Sequence, residues 1–184
     1  PLAYAIAADL PQYDLDVLLD IPSRLVHVRQ RVTFTNRHQR PASDLVFNVY
    51  PRYKAEGDEL TLLAKTLELL RTPYKEALDS QGRRLTVHRV WLANQQVEFH
   101  WREDLPTALV VPLPFSVTQG ASVTVTLDYT LELPELQGRW GHYHGVTMLT
   151  NWYPVLAYYD EAGWHPVPFV PVSYTHLRAH ETGR

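Results

Sequence analysis

Strict alternation of apolar and polar residues is the feature that most constrains the fold of this chain. It is clearest in residues 122–133, where every second side chain is large and apolar: Val123, Val125, Leu127, Tyr129, Leu131 and Leu133. Successive side chains of an extended strand point to opposite faces, so such a segment has one face for a core and one for water. The pattern therefore predicts a half-buried β-strand.

Similar alternation or short apolar runs recur in further segments that are separated by turn residues. They are residues 13–21, 26–34, 45–50, 85–92, 97–101 and 108–113, with breaks such as Pro22-Ser23, Ala93-Asn94 and Gln119-Gly120. Many short strands with polar outer faces favour an antiparallel sandwich over alternating strand–helix units. A length of 184 residues suits one domain. We predict an all-β fold, an antiparallel β-sandwich or saddle-like sheet domain.

One segment follows a helical period instead. Its apolar residues recur at steps of three and four positions: Leu60, Leu63, Leu67, Leu70 and Tyr74. Asp58 suits the N-cap of such a helix and Pro73 suits its end. We predict one amphipathic helix within an insertion of about residues 58–79, with its apolar stripe covering an open edge or face of the sheet. A helix that binds a partner is the alternative.

Composition and charge argue against several classes of partner. The formal net charge is −3 at pH 7, from 17 basic and 20 acidic residues spread along the chain, so no electrostatic footprint for nucleic acid is visible. No apolar stretch reaches the ~20 residues that a membrane-spanning helix needs. The sequence contains no cysteine, which excludes disulfides and thiolate sites but does not fix the cellular compartment.

The histidines do not form a recognisable zinc site. A His-Glu-x-x-His helix brings two imidazoles to one zinc ion, but His180-Glu181 is followed by Arg184 where the second histidine would stand. His142 and His144 have a ligand-like spacing on a strand, yet a metal would still need a third group. A strained Gly-x-Ser-x-Gly elbow is also lacking. We predict no catalytic, cofactor-binding or metal-binding residue in this chain.

Aromatic residues crowd into the last third of the sequence. They are Trp140, Tyr143, Trp152, Tyr153, Tyr158, Tyr159 and Trp164. Aromatic side chains at such density fill a core or form an interface. We expect a mixed role, with Trp140, Asn151, Trp152, Tyr153 and Trp164 as candidates for an interface or the rim of a cleft. A platform that stacks on carbohydrate is the alternative.

The segment from Gln137 to His165 also resembles a known domain. Its Asn151-Trp152-Tyr153-Pro154 sequence, acidic turn and Gly163-Trp164-His165 are similar to the end of the N-terminal β-domain of M1-family zinc metallopeptidases, the aminopeptidase-N-like gluzincins, and most of all to a bacterial branch. The resemblance extends over about residues 11–171, but only this last third is specific.

The resemblance implies a non-catalytic domain of a hydrolase. Such a domain docks on its own catalytic domain, which follows it, holds the zinc ion and binds the peptide substrate, and it forms one wall of the substrate cleft. Many members carry a Thr-Gln-x-Glu segment whose Gln binds substrate, but residues 147–150 of this chain lack that Gln, so no substrate-binding residue is carried over. A free-standing β-sandwich that binds glycan or peptide is the alternative, and a structural adhesion domain is a weaker one.

The end of the sequence has a different character. Residues 172–182 resemble one reading frame of a sequencing-library adapter, and the chain departs from the family after Pro171. We therefore expect a fragment in which residues 1–171 form the β-domain, residues 172–184 are a non-native tail without a role in the fold, and the catalytic domain is missing.

We predict that the isolated chain neither hydrolyses aminoacyl amides nor binds zinc stoichiometrically, because its sequence offers no set of three zinc ligands. Cleavage of chromogenic aminoacyl anilides and the zinc content of the purified chain measure the two properties. A zinc-dependent rate of hydrolysis that a chelator abolishes would contradict this prediction.

Overall fold

Two antiparallel sheets form the framework of the protein. The structure is a computed structural model and describes residues 10–69, 71 and 74–169. The strands are β1 (Gln12–Asp20), β2 (Leu25–Thr35), β3 (Ala42–Asn48), β4 (Leu85–Leu92), β5 (Gln95–Val97), β6 (His100–Trp101), β7 (Ala108–Val117), β8 (Ser122–Glu132), β9 (Trp140–Tyr143), β10 (Val146–Leu149), β11 (Val155–Leu156), β12 (Tyr158–Asp160) and β13 (Gly163–His165). A 3₁₀ turn at Tyr50–Arg52 and the helices α1 (Gly57–Leu69) and α2 (Tyr74–Ala77) lie between β3 and β4. Neither of these described helices is long and apolar enough to cross a membrane.

The first sheet has five strands in the order β1-β2-β8-β4-β5. Its centre is the pairing of β2 with β8, which runs without interruption from the Leu25–Glu132 pair to the Thr35–Ser122 pair. The alternating apolar residues of β8 are all buried, from Val123 at 5% exposure to Leu127 at 0%. The strand predicted for residues 122–133 is therefore confirmed.

The second sheet has four strands in the order β11-β3-β7-β6. Phe47 on β3 and Leu109 on β7 are fully buried in the same cluster as Val32 on β2 and Leu127 on β8. The two sheets thus pack face to face, which confirms the prediction of an all-β fold built from antiparallel strands. Because each fully buried Val or Leu contributes roughly 1.5 to 3 kcal/mol, this shared layer is the main source of stability.

A single strand over residues 97–101 was predicted, and this is wrong. Val97 ends β5, which pairs with β4 in the first sheet, whereas His100 begins β6, which pairs with β7 in the second. Glu98 and Phe99 carry the chain from one sheet to the other, and Phe99 packs against the core. Both sheets face one core, so the apolar alternation continues through the crossing and periodicity does not reveal it.

β1 is an edge strand, and only its first half has a buried face. Tyr13 and Leu15 pack against the core. Val17 and Leu19 continue the same face but are 42% exposed, while Leu18 on the opposite face is 65% exposed. The strand predicted within residues 13–21 is present, but its buried face ends near Leu15.

The predicted amphipathic helix is α1. Leu67 is 3% exposed and Leu60 and Leu63 are half-buried. Asp58 lies inside the first turn rather than at the N-cap, where its carboxylate still favours the positive end of the helix dipole. Leu67 does not belong to the clusters of buried residues that the sheets form, so coverage of the sheet by this helix stays a prediction.

Other parts of these predictions lie outside the described residues. They are Leu70, Pro73, the side chain of Tyr74 and the whole of residues 172–184. The proposed tail therefore stays a prediction.

The connection from α2 to β4 is held by an ion pair between Asp79 and Arg84. The Asp79 carboxylate accepts hydrogen bonds from Arg84 Nε at 2.7 Å and from a terminal nitrogen of the same guanidinium at 2.8 Å. It also accepts from the backbone N–H groups of Gln81 and Gly82, both at 3.1 Å. Burial acts to raise the pKa of Asp79, but the hydrogen bonds from Arg84 and Gly82 outweigh it and hold this pKa below its usual value. Arg84 also reaches Glu132 at 3.3 Å and so ties the insertion to the end of β8.

We predict that Leu67→Ala lowers the free energy of unfolding by about 2 to 3 kcal/mol, because Leu67 is the buried leucine of the stripe in α1. Leu62→Ala is the matched control, since Leu62 is 65% exposed in the same helix, and its effect should stay within about 0.5 kcal/mol. Urea denaturation followed by circular dichroism measures both values. An equal loss of unfolding free energy in the two variants would show that α1 does not pack through its predicted apolar stripe.

Candidate interface around the aromatic segment

Two of the five interface candidates, Trp140 and Trp164, pack against the core. Trp140 on β9 is only 7% exposed, and its ring lies 5.9 Å from that of Phe169. Trp164 on β13 is half-buried and packs against Phe34 and Tyr159, with ring centroids at 5.1 and 4.7 Å. Its indole Nε1 donates a hydrogen bond to the Asp44 carbonyl at 3.1 Å. Trp140 is therefore enclosed by the fold, whereas Trp164 packs on the core with one side and keeps part of its surface exposed.

The other three candidates lie together in the connection between β10 and β11. We refer to residues 151–154 as the Trp-Tyr segment. Asn151 is exposed with φ of 49°, a left-handed conformation that asparagine tolerates better than most residues. Trp152 and Tyr153 are half-buried, and their rings meet edge to face at 5.7 Å. The Tyr153 ring also meets that of Tyr13 edge to face at 5.9 Å. The structure therefore places an aromatic pair at the surface with its inner side packed on the sandwich.

The segment is anchored by Gln30, a residue that the sequence analysis missed. Gln30 lies on β2 with 0% exposure. Its Nε2 donates to the carbonyl of Pro154 at 2.7 Å, and its Oε1 accepts from the hydroxyl of Tyr129 at 2.8 Å. The sequence did carry a signal, because Gln30 interrupts the apolar alternation of its strand. It lies on the same face as Val28 and Val32, where an apolar residue is expected.

A second anchor lies just past the segment. The backbone N–H of Leu156 donates to the Tyr13 hydroxyl at 3.0 Å, which links β11 of the second sheet to β1 of the first. Burial raises the pKa of Tyr13 and that of Tyr129 above the ordinary value of tyrosine. Both phenols therefore remain neutral hydrogen-bonding groups at physiological pH.

The acidic turn between β12 and β13 also has a structural role. The Glu161 carboxylate is exposed, but it accepts from the backbone N–H groups of Gln39 and Arg40 at 3.0 and 3.2 Å. Asp160 accepts from the Ala162 N–H at 2.7 Å and bonds to His165 Nε2 at 2.8 Å. These hydrogen bonds lower the pKa of both carboxyls and fix the loop after β2 against the hairpin.

The histidines weighed as metal ligands flank a surface cleft of about 430 Å³. His142 Nδ1 bonds to Thr147 Oγ1 at 2.9 Å, and His144 occupies the tight turn between β9 and β10 with φ of 48°. The ion pair of Arg24 and Glu135, at 3.0 Å, forms part of the cleft wall. Among the residues that the structure describes, no three His, Asp or Glu side chains converge as a metal site would require. His176 and His180 lie outside that range.

The hairpin of β9 and β10 is packed closely under residues 134–136. The His142 N–H donates to the Pro134 carbonyl at 2.9 Å. A Cβ added at Gly141 would lie 2.5 Å from the Leu136 carbonyl oxygen and 3.0 Å from that of Pro134. Both are backbone atoms, so only glycine fits at this position without a shift of the chain.

We predict that Gly141→Ala lowers the free energy of unfolding by roughly 1 to 3 kcal/mol, the usual cost of an overpacked site. The matched control is Gly138→Ala, because a Cβ at Gly138 meets its nearest neighbours at 3.7 and 3.8 Å. This control should leave stability nearly unchanged in the same denaturation experiment. If Gly141→Ala left the free energy of unfolding unchanged, this result would contradict the close packing of β9 under residues 134–136.

Comparisons with known proteins give distant likenesses. No protein-family model matches the chain, and no curated protein matches it. Among solved structures, it is similar to a crystal structure of a mutant M1 zinc metallopeptidase from Deinococcus radiodurans, with 16% identity and a TM-score of 0.49 over 79% of this chain and 28% of that one. The same mutant bound to a Tyr-Ser-Ala substrate gives 16% identity and a TM-score of 0.48 over 86% and 28% of the two chains. The chain spans less than a third of the length of these proteins, and a likeness of this size does not establish family membership.

Proposed function

We propose that the chain is the non-catalytic N-terminal β-domain of an M1-like zinc aminopeptidase. In this proposal it docks on the catalytic domain of the same protein and forms one wall of the substrate cleft. The catalytic domain holds the zinc ion, and peptide substrate meets this chain only along that wall. Residues 1–171 are the proposed extent of the domain.

The observation that carries the proposal is the half-buried pair Trp152 and Tyr153, which packs on the sandwich at its surface. Aromatic residues dominate the energetics of protein interfaces because they present a large amphipathic area and lose little conformational entropy. Here that loss is already reduced, since Pro154 is anchored by Gln30 and Tyr153 packs on Tyr13. The pair also belongs to the Asn-Trp-Tyr-Pro sequence that carries the resemblance.

The polar groups beneath the segment favour docking over chemistry. Gln30, Tyr129 and Tyr13 all use their side-chain polar atoms in hydrogen bonds within the fold. A general acid or base needs a group that can reach a substrate proton, and these three groups are turned inward. These internal hydrogen bonds support a role of the segment as a surface for docking.

A carbohydrate platform fits the geometry less well. Trp152 meets Tyr153 at an interplanar angle of 76°, so the two rings do not form one flat surface on which a sugar could stack. A free-standing module that binds glycan or peptide is accordingly an outcome of the test below.

The first test is the coding sequence that follows Pro171 in the source genome. A His-Glu-x-x-His motif downstream with a further glutamate supports the proposal, because these residues are the zinc ligands and catalytic base of such peptidases. A stop codon directly after the β-domain would overturn it in favour of a free-standing module.

We predict that Trp152→Ala weakens association of this domain with that catalytic domain by about 30-fold or more, the effect of losing an interface hot spot. Its effect on the stability of the domain alone should be smaller than its effect on association. Calorimetric titration and urea denaturation give the two values. Tyr158→Ala is the control, since Tyr158 is an aromatic residue with 65% exposure on a different hairpin. If Trp152→Ala lowers stability more than association, Trp152 is an ordinary core residue and the docking surface lies elsewhere.

A further inference from the structure

We propose that Gln30 is a positioning residue that holds the Trp-Tyr segment in its surface conformation from inside the sandwich. The positioning itself is a property of this chain alone. Its consequence for docking rests on the proposed function.

The position of Gln30 within β2 indicates a specific role for its amide. The inward face of this strand carries Val26, Val28, Gln30, Val32 and Phe34, all between 0% and 6% exposed. Gln30 pairs with Leu127 on β8 and with Leu15 on β1, so its strand neighbours are apolar as well. An apolar side chain would suit this environment, whereas a buried amide is tolerated only when its polar atoms are hydrogen-bonded.

The partner on the donor side is the carbonyl of Pro154, which is buried. The preceding strand β10 ends at Leu149 and β11 begins at Val155, so Pro154 lies in neither ladder. A buried carbonyl outside a ladder needs a donor from elsewhere, and Gln30 Nε2 provides it at 2.7 Å. This bond fixes the residue that directly follows Tyr153.

The partner on the acceptor side sets the orientation of the amide. The Tyr129 hydroxyl donates to Gln30 Oε1 at 2.8 Å, and Tyr129 is itself 1% exposed. If the amide were turned over, its oxygen would face the Pro154 carbonyl, and two acceptors cannot bond to each other. Tyr129 therefore keeps Nε2 directed at the segment.

Removal of the amide should release the segment while the sandwich persists. In Gln30→Leu the volume is kept, but the Pro154 carbonyl loses its donor and the Tyr129 hydroxyl loses its acceptor. The carbonyl regains a partner by turning toward water. This movement would carry Tyr153 away from its contact with Tyr13. The pairing of β2 with β8 uses backbone groups and does not depend on the side chain.

The experiment is amide hydrogen exchange on the full 184-residue chain, combined with the fluorine resonance of 5-fluorotryptophan at Trp152, which Trp152→Phe assigns. In Gln30→Leu we expect the amides of Val155 and Leu156, which directly follow the segment and are paired in the fold, to exchange about 10-fold faster or more relative to the amides of β8, as local opening becomes easier. The Trp152 resonance should shift toward that of the unfolded chain.

Two variants complete the design. Tyr129→Phe keeps the hydrogen bond from Gln30 to Pro154 but removes the hydroxyl that orients the Gln30 amide. It should therefore give a smaller increase of exchange in the same residues. This variant tests the inference even if Gln30→Leu does not fold. Val32→Ala is the matched control, because Val32 is the next inward residue of β2, and it should raise exchange throughout the sandwich without singling out the segment. Unchanged exchange of the Val155 and Leu156 amides in both Gln30→Leu and Tyr129→Phe would overturn the inference. An increase no larger than that in Val32→Ala would overturn it as well.

The docking assay separates this inference from the proposed function. If the segment loosens in Gln30→Leu and association with the catalytic domain weakens, both the positioning role and the proposed function stand. If the segment loosens and association is unchanged, the positioning role stands and the proposed function of the segment fails.

Discussion

The structure depends on the uninterrupted pairing of β2 with β8. This ladder aligns the inward stripes of both strands in one register, so that Val26 lies beside Leu131 and Val32 beside Val125. A slip of one strand by one residue would turn all of its inward side chains toward water. The second sheet, the hairpins and the Trp-Tyr segment all pack on the face that this register creates.

Local patterns predicted most strands up to β8, because a strand repeats every two residues and its evidence lies within its own sequence. They did not predict the five short strands β9–β13 of the aromatic last third. The same patterns failed at residues 97–101, where the chain passes between two layers with a common core. They also could not separate Trp140 from Trp152. Trp140 is buried in contact with Phe169, which is distant in sequence, and composition carries no information about that contact.

Gln30 shows the same limit more sharply. Its break in the apolar alternation is visible in the sequence, but its partner Pro154 lies 124 positions away. A polar residue at an inward position can mark a bulge, a buried water or a long-range anchor, and only the fold distinguishes these. The interface candidates Asn151, Trp152 and Tyr153 were identified from sequence, whereas the residue that holds them was not.

The exposed edge of β1 bears on association between copies of this chain. Its outer face carries Asp14, Asp16, Leu18 and Asp20. Suppose that two copies join edge to edge as antiparallel strands with matching faces, so that a two-fold axis passes through one residue of β1. An axis at Leu15 places Asp14 opposite Asp16, and an axis at Asp16 places Asp16 opposite its own copy. An axis at Val17 places Asp14 opposite Asp20, and an axis at Leu18 places Asp16 opposite Asp20. Like charges directly opposite each other destabilise a strand pair. Among the described residues, these three aspartates therefore disfavour the edge of β1 as a template for its own sequence.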